Sequence, residues 1–259
     1  MSAKFTEERA LWLYHHYRWL ECHLPAREAV ARGTLVLPTQ QFFPDRYAKD
    51  HGSADILFHR VKDLMGMSEW PCRLEQRRDG ETELRADLAR SGVIGDSSSN
   101  GAAGTFSVSH NREVVITYSA SSLADPHSLV ATFAHELCHY LLAQVTTAPP
   151  GTWKELEPLT DLSAVVEGFG LFLCNTAFQF QQFTNYDTQG WGTSRKGYLT
   201  EAELGFAFAI SCVRNRLDVA TAARALKPNP REVFIDALDY IADLEDEELD
   251  RQKGLRDDS

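Results

Sequence analysis

The sequence has no run of eighteen consecutive apolar residues, so no transmembrane helix is expected. Its opening residues, Met1-Ser-Ala-Lys-Phe-Thr-Glu-Glu-Arg9, contain no apolar core, so no secretory leader is expected. No CxxC pair occurs, and the five cysteines (Cys22, Cys72, Cys138, Cys174, Cys212) are an odd number. A disulfide framework is therefore not expected, and a reducing compartment, the cytoplasm, is the expected setting. Cys138, Cys174 and Cys212 lie in apolar helical contexts and read as small buried hydrophobes. Positive charge is also scarce: the formal net charge is −11. That argues against nucleic acid or an anionic membrane as the main partner. Much of the acidic excess falls between Asp243 and Asp250, so it says little about any active site. Internal repeats and low-complexity segments are absent as well.

What is present is an ordinary globular composition. The chain has 259 residues, 43% hydrophobic and 24% charged, enough for one large domain or two small ones. Thr6 to Cys22 reads as an aromatic-rich helix, and Ser53 to Met65 as a second helix ended by Gly66. Leu35 to Pro38 reads as a short extended piece and Phe42 to Arg46 as a loop. Trp70 to Arg77 reads as a strand, and Ser91 to Gly104, rich in Gly, Ser and Asn, as a loop. Thr105–Ser109 and Glu113–Tyr118, joined by His110-Asn-Arg, read as a hairpin. After a loop at Ala148-Pro-Pro-Gly, one long helix is expected from Leu159 to Phe183, apolar almost all round and therefore buried. Gly168 and Gly170 inside it suggest close approach of a neighbouring helix, the helix before it being a candidate. Thr200 and Glu203 form a capping box for a helix to about Arg216. Val219–Leu226 and about Arg231 to Asp243 are further helices, followed by a frayed tail.

Between hairpin and long helix stands Ala134-His-Glu-Leu-Cys-His-Tyr-Leu-Leu142. His135 and His139 are four apart, which on a helix sets their Cβ atoms roughly 5–6 Å from one another. Two neutral imidazoles so placed can bind one Zn²⁺, with Glu136 offset toward a metal-bound water. This is the HExxH pattern of zinc hydrolases. The helix it needs has its signals: Asp125 as N-cap, Pro126 at the first helical position, and Val130, Phe133, Ala134, Leu137 and Leu141 as one apolar stripe. His135 and His139 fall roughly opposite that stripe. The ordinary alternative is a surface helix with two unremarkable histidines.

A catalytic zinc takes three protein ligands and keeps a position for water. Eighteen residues after His139 comes Glu157, and four further on Asp161. From Phe133 to Asp161 the chain resembles the gluzincin branch of the zincin metallopeptidases. The resemblance implies Zn²⁺ on His135, His139 and Glu157, with Asp161 holding the far nitrogen of His135. Pro158 disfavours helical geometry at Glu157, which leaves Asp161 as the other candidate for the metal. Glu155 and Glu167 are nearby carboxylates, read as an exposed and a helix-facing group.

The expected fold is α+β: a mainly helical zincin-like domain with a small β-sheet just before the HExxH helix. Residues 1–66 are expected to be a helical region packed on the core, 67–250 the catalytic domain and 251–259 a disordered tail, or all of it one domain. The expected activity is that of a zinc metallopeptidase acting on a peptide or protein substrate. Zinc would lower the pKa of a water to about 7 and Glu136 would act as general base. Asn185 to Tyr198 reads as a substrate loop, with Tyr198 or Arg195 polarising the scissile carbonyl, or as a plain surface connection. Two rivals stand beside this reading: a catalytically lapsed binding protein on the same scaffold, and a zinc amidase for a non-peptide substrate. Cleavage preference and oligomeric state leave no mark on the sequence.

Overall fold

The structure, a computed structural model, describes residues 6–25, 34–77, 104–108, 113–151, 155–185 and 198–257. The fold is α+β, predominantly helical with one three-stranded sheet. Helix α1 (Glu7–His23) is capped by Thr6, whose side chain accepts the Arg9 amide. Helix α2 (His51–Leu64) starts two residues before the sequence suggests, because Asp50 and Ser53 cap each other reciprocally.

Strands β1 (Cys72–Arg77), β2 (Gly104–Val108) and β3 (Val114–Ser119) form a sheet in the order β1-β3-β2. β2 and β3 are antiparallel, as a hairpin requires; its expected turn, with residues 109–112, lies outside the described residues. β1 runs parallel to β3, which demands a crossover rather than a turn. The expected loop Ser91–Gly104 lies, except for Gly104, outside the described residues. Leu74, Ile116 and Phe106 stand side by side in the register. Leu74 and Ile116 are buried, and Tyr118 on the same face packs edge-on against Phe133 of the next helix, 5.8 Å between centroids. Period-two alternation thus aims one row of each strand at that helix.

Helix α3 (Pro126–Leu142) carries the two histidines. Asp125 accepts the amides of His127 and Ser128, and Pro126 sits where a missing N–H costs nothing. The apolar stripe is buried, but so is most of the rest: His135 is 2% exposed and Glu136 4%. The histidine face is therefore covered by neighbouring elements and is not open surface. Phe133 packs on Phe58 of α2, joining the two helices.

The expected single helix Leu159–Phe183 is broken. Helix α4 (Leu156–Ala164) gives way at Val165–Phe169 to a widened turn, and α5 (Gly170–Asn185) resumes. Gly168 causes the break: its φ of 93° lies where a Cβ is strongly disfavoured. Gly170 does serve close approach, but of α6 (Glu201–Arg214), not of α3. A Cβ there would stand 2.6 Å from Cδ2 of Phe208. α6 opens on the expected capping box of Thr200 and Glu203. α7 (Val219–Ala225) and α8 (Pro228–Asp257) follow. α8 overruns the expected end at Asp243 and takes up most of the segment read as a tail. No proline interrupts that stretch.

One buried cluster links Leu13 and Tyr17 of α1, Phe58, Phe133, Phe169, Phe208 and Phe234. Arg9 of α1 bridges two later elements. Its Nε donates to Glu203 at 2.5 Å and its Nη1 to Glu155, the N-cap of α4, at 3.2 Å. Among the described residues no helix is long and apolar enough to cross a membrane. These residues include all five cysteines, and they contain no disulfide.

Candidate metal centre

One turn of α3 separates His135 from His139, and their rings lie 4.9 Å apart at 80°. The carboxylate that meets them comes from α4. Glu155 is the N-cap of that helix, so Glu157 and Pro158 both fall in its first turn. Backbone amides there have no partner inside the helix, so Pro158 removes no bond. The proline that disfavours a helix at Glu157 is thus accommodated. An acidic side chain in a first turn is also favoured by the helix dipole.

Oε2 of Glu157 stands 3.2 Å from Nε2 of His135 and 3.5 Å from Nε2 of His139. The ligand atoms of the three residues all lie within 4.8 Å of one another. Tetrahedral zinc, with bonds of about 2.1 Å, sets its ligand atoms roughly 3.4 Å apart. Two imidazole nitrogens and one carboxylate oxygen are also the donor set of a catalytic zinc with one position left over. The residues fit the ion. Asp161 approaches from the other side: its Oδ1 is 2.8 Å from Nδ1 of His135, and its Oδ2 accepts the Leu199 amide at 2.9 Å. Of the two candidates for third ligand, Glu157 faces both Nε2 atoms and Asp161 faces the far nitrogen of one ring.

His139 has a corresponding partner that the sequence reading missed. Oγ1 of Thr160 is 3.4 Å from Nδ1 of His139 and donates its own proton to the Leu156 carbonyl at 2.8 Å. With that proton committed, the hydroxyl accepts from the ring N–H. Asp161 and Thr160 thereby each face an Nδ1, and Nε2 of both rings is the atom left to meet Glu157, or a metal once its proton is given up. The available signal was spacing: Thr160 lies three residues after Glu157, on the same helix face.

The electrostatics follow from burial and pairing. Before a metal binds, burial pushes the His135 imidazolium down, but hydrogen bonds to Asp161 and Glu157 outweigh it and hold its pKa up, at about 10. Burial pushes Glu157 up, yet hydrogen bonds from the two imidazoles hold it well below the carboxylate range. Among the described residues Glu136 accepts no such bond from either imidazole. Burial raises its pKa, tempered by the charges of His135, His139 and Arg77 and reinforced by Glu157.

Gly104, the first residue of β2, is the second feature that sequence reasoning missed. A Cβ there would stand 2.5 Å from Cγ2 of Thr132, and 3.0 Å from both Cγ of Glu136 and the Thr117 carbonyl. Only glycine lets the strand cross the helix at the stem of Glu136. Read as part of a loop, it is a packing point. Phe106, two residues on, stacks on His139 at 6.2 Å and 26°.

Tyr198 lies beside the first histidine, its ring 5.3 Å from that of His135 and tilted by 37°. Trp191 and Arg195 of the same loop lie outside the described residues. Glu155 faces Arg9 rather than the histidines. Glu167 is buried in the widened turn. His16 is held between the carbonyls of Trp12 and Pro150, and His23 bonds the Trp19 carbonyl, so neither joins a metal cluster. No known protein family, curated protein or solved structure matches the chain.

Proposed function

We propose that this chain is a zinc-dependent metallopeptidase on a zincin-like scaffold, with His135, His139 and Glu157 holding the ion. The observation that carries the reading is the reach of Glu157 to the Nε2 atoms of both HExxH histidines while Asp161 takes Nδ1 of the first. When bound, zinc supplies Lewis acidity: it lowers the pKa of a water to about 7 and stabilises charge on a carbonyl oxygen.

The chain's own residues do the rest. Glu136 accepts the proton of the attacking water on its carboxylate and passes it to the leaving amine nitrogen. Burial raises its pKa above the ordinary carboxylate value, which favours uptake of that proton. Asp161 and Thr160 fix the ring tautomers. Tyr198, beside His135, is the candidate to face the scissile carbonyl. β2 ends the strand order, and among the described residues its outer edge pairs with no strand. That edge, next to His139, offers main-chain bonds to an extended peptide whatever its sequence. A cytoplasmic setting accords with five cysteines outside disulfides.

The test pairs two variants against a mixture of fluorogenic peptides. Glu136→Gln is expected to keep stoichiometric zinc and lose hydrolysis. His135→Ala is expected to lose both. Normal turnover by Glu136→Gln, or full zinc content in His135→Ala, overturns the reading.

A further inference from the structure

Lys62 of α2 carries its ammonium inside the protein. The residue is 3% exposed, donates to the Trp70 carbonyl at 2.8 Å and stands 6.0 Å from the centre of the Phe58 ring. Among the described residues no carboxylate pairs with it. A buried charge is costly unless it is paired or its protons are all used. The group that meets this one is the thiol of Cys72, the first residue of β1, which is hydrogen-bonded to it. Neither side chain belongs to the metal centre. Cys138, Cys174 and Cys212 are buried, out of reach of solutes, whereas Cys72 is half-buried. A small solute can reach its sulfur while the lysine nitrogen lies against it from within. Burial pushes the Cys72 thiol up, and the charge and hydrogen bond of Lys62 draw it down without cancelling the rise. A thiolate formed there is scarce but strongly nucleophilic, so its oxidation is slow.

We propose that Cys72 and Lys62 form an oxidisable pair that a hydroperoxide converts into a covalent sulfur–nitrogen bridge between α2 and β1. In the first step the sulfur attacks one peroxide oxygen and the O–O bond breaks. Sulfur gives up two electrons and becomes a sulfenic acid; with hydrogen peroxide, the thiol proton leaves with the departing hydroxide as water. In the second step the Lys62 nitrogen, having lost one proton to solvent, attacks that sulfur. The S–N bond forms, the S–O bond breaks, and the hydroxyl leaves as water with a second proton from the nitrogen. This condensation consumes no oxidant. It is favoured over further oxidation because the nitrogen already touches the sulfur, which makes the step intramolecular. Two equivalents of a thiol reverse the bridge by exchange at sulfur. The inference does not depend on the metallopeptidase reading.

The test treats the full chain with hydrogen peroxide, removes the excess with catalase, blocks free thiols with iodoacetamide and maps tryptic peptides by mass spectrometry. Trypsin cuts after Lys62 only while its amine is free. The wild type is expected to give a peptide Val61–Arg73 lighter by two hydrogens than the unmodified sequence, holding more than half of all Cys72 and abolished by dithiothreitol. Lys62→Arg keeps the positive charge and removes the nucleophilic amine. In it Cys72 is expected to stop at the sulfenic acid, trapped by dimedone, or to go on to sulfinic acid. Cys72→Ser, a near-isosteric change at a half-buried position, is expected to fold and to leave Lys62 fully cleavable. Recovery of wild-type Cys72 as free thiol, disulfide, sulfinic or sulfonic acid with Lys62 still cleaved overturns the proposal, and so does a bridge from Cys72 to any other group. That wild-type measurement decides the matter even if a variant fails to fold.

Discussion

Asp161 grips His135 with one carboxylate oxygen, 2.8 Å from Nδ1, while the Leu199 amide secures the other. The aspartate cannot swing toward Glu157 and the Nε2 atoms without breaking both bonds. Asp161→Asn replaces one oxygen by a donor and frustrates either the ring or the amide. Zinc affinity is expected to fall by about 10–100-fold with the fold retained. Competition against a chelator of known affinity measures this; an unchanged dissociation constant refutes the positioning role.

A methyl group at position 104 would collide with Thr132 and crowd the stem of Glu136. Gly104→Ala is expected to lift β2 off α3 and cost about 1–3 kcal/mol of stability. Zinc binding is expected to change by less than about threefold, since no ligand atom is displaced. Denaturant unfolding and calorimetric zinc titration read the two effects separately, and wild-type stability in this variant would remove the case for a forced glycine.

The pairing of His135 also predicts how the metal-free protein responds to pH. Its folded pKa is raised from 6.5 to about 10, so its stabilising contribution is full below about pH 6.5. That contribution is lost as pH rises toward 10. Glu157 acts on the opposite flank: its pKa is depressed, so its contribution is present above the ordinary carboxylate value and is lost as pH falls through the acid range. Melting temperature in chelator is expected to decline from pH 7 to 10, with the decline missing in His135→Ala. Equal slopes for the two proteins would contradict the assignment.

The same proton competes with zinc. With its pKa held up by Asp161 and Glu157, His135 is expected to carry a proton near neutral pH that zinc would have to displace. Titration in buffers of different ionisation enthalpy is expected to show about one proton released per zinc at pH 7.5 beyond the share given up by the zinc-bound water, and that excess is expected to vanish above about pH 10. Release that does not vary with pH would place the proton elsewhere.

Signals that act within a few residues were legible in the sequence. The Asp125-Pro126 start of α3, the Thr200–Glu203 box and the one-turn spacing of His135 and His139 all depend on local geometry, and all three match. What stayed hidden depends on neighbours distant in sequence. Gly168 and Gly170 look alike as letters, but one meets a backbone angle and the other a phenylalanine from α6. Gly104 read as loop because its packing partners, Thr132 and Glu136, lie about thirty residues on. Burial of the histidine face follows from the sheet and α4 closing over it, which the periodicity of α3 alone does not encode. Pro158 misled in the other direction, since its local bias is real but harmless in a first turn.

Arg9 fastens the start of α4 to the start of α6 through Glu155 and Glu203. The opening helix is thus a strut beneath the arm that holds out Glu157, and disturbing it would loosen the cleft's geometry from some 150 residues away in sequence.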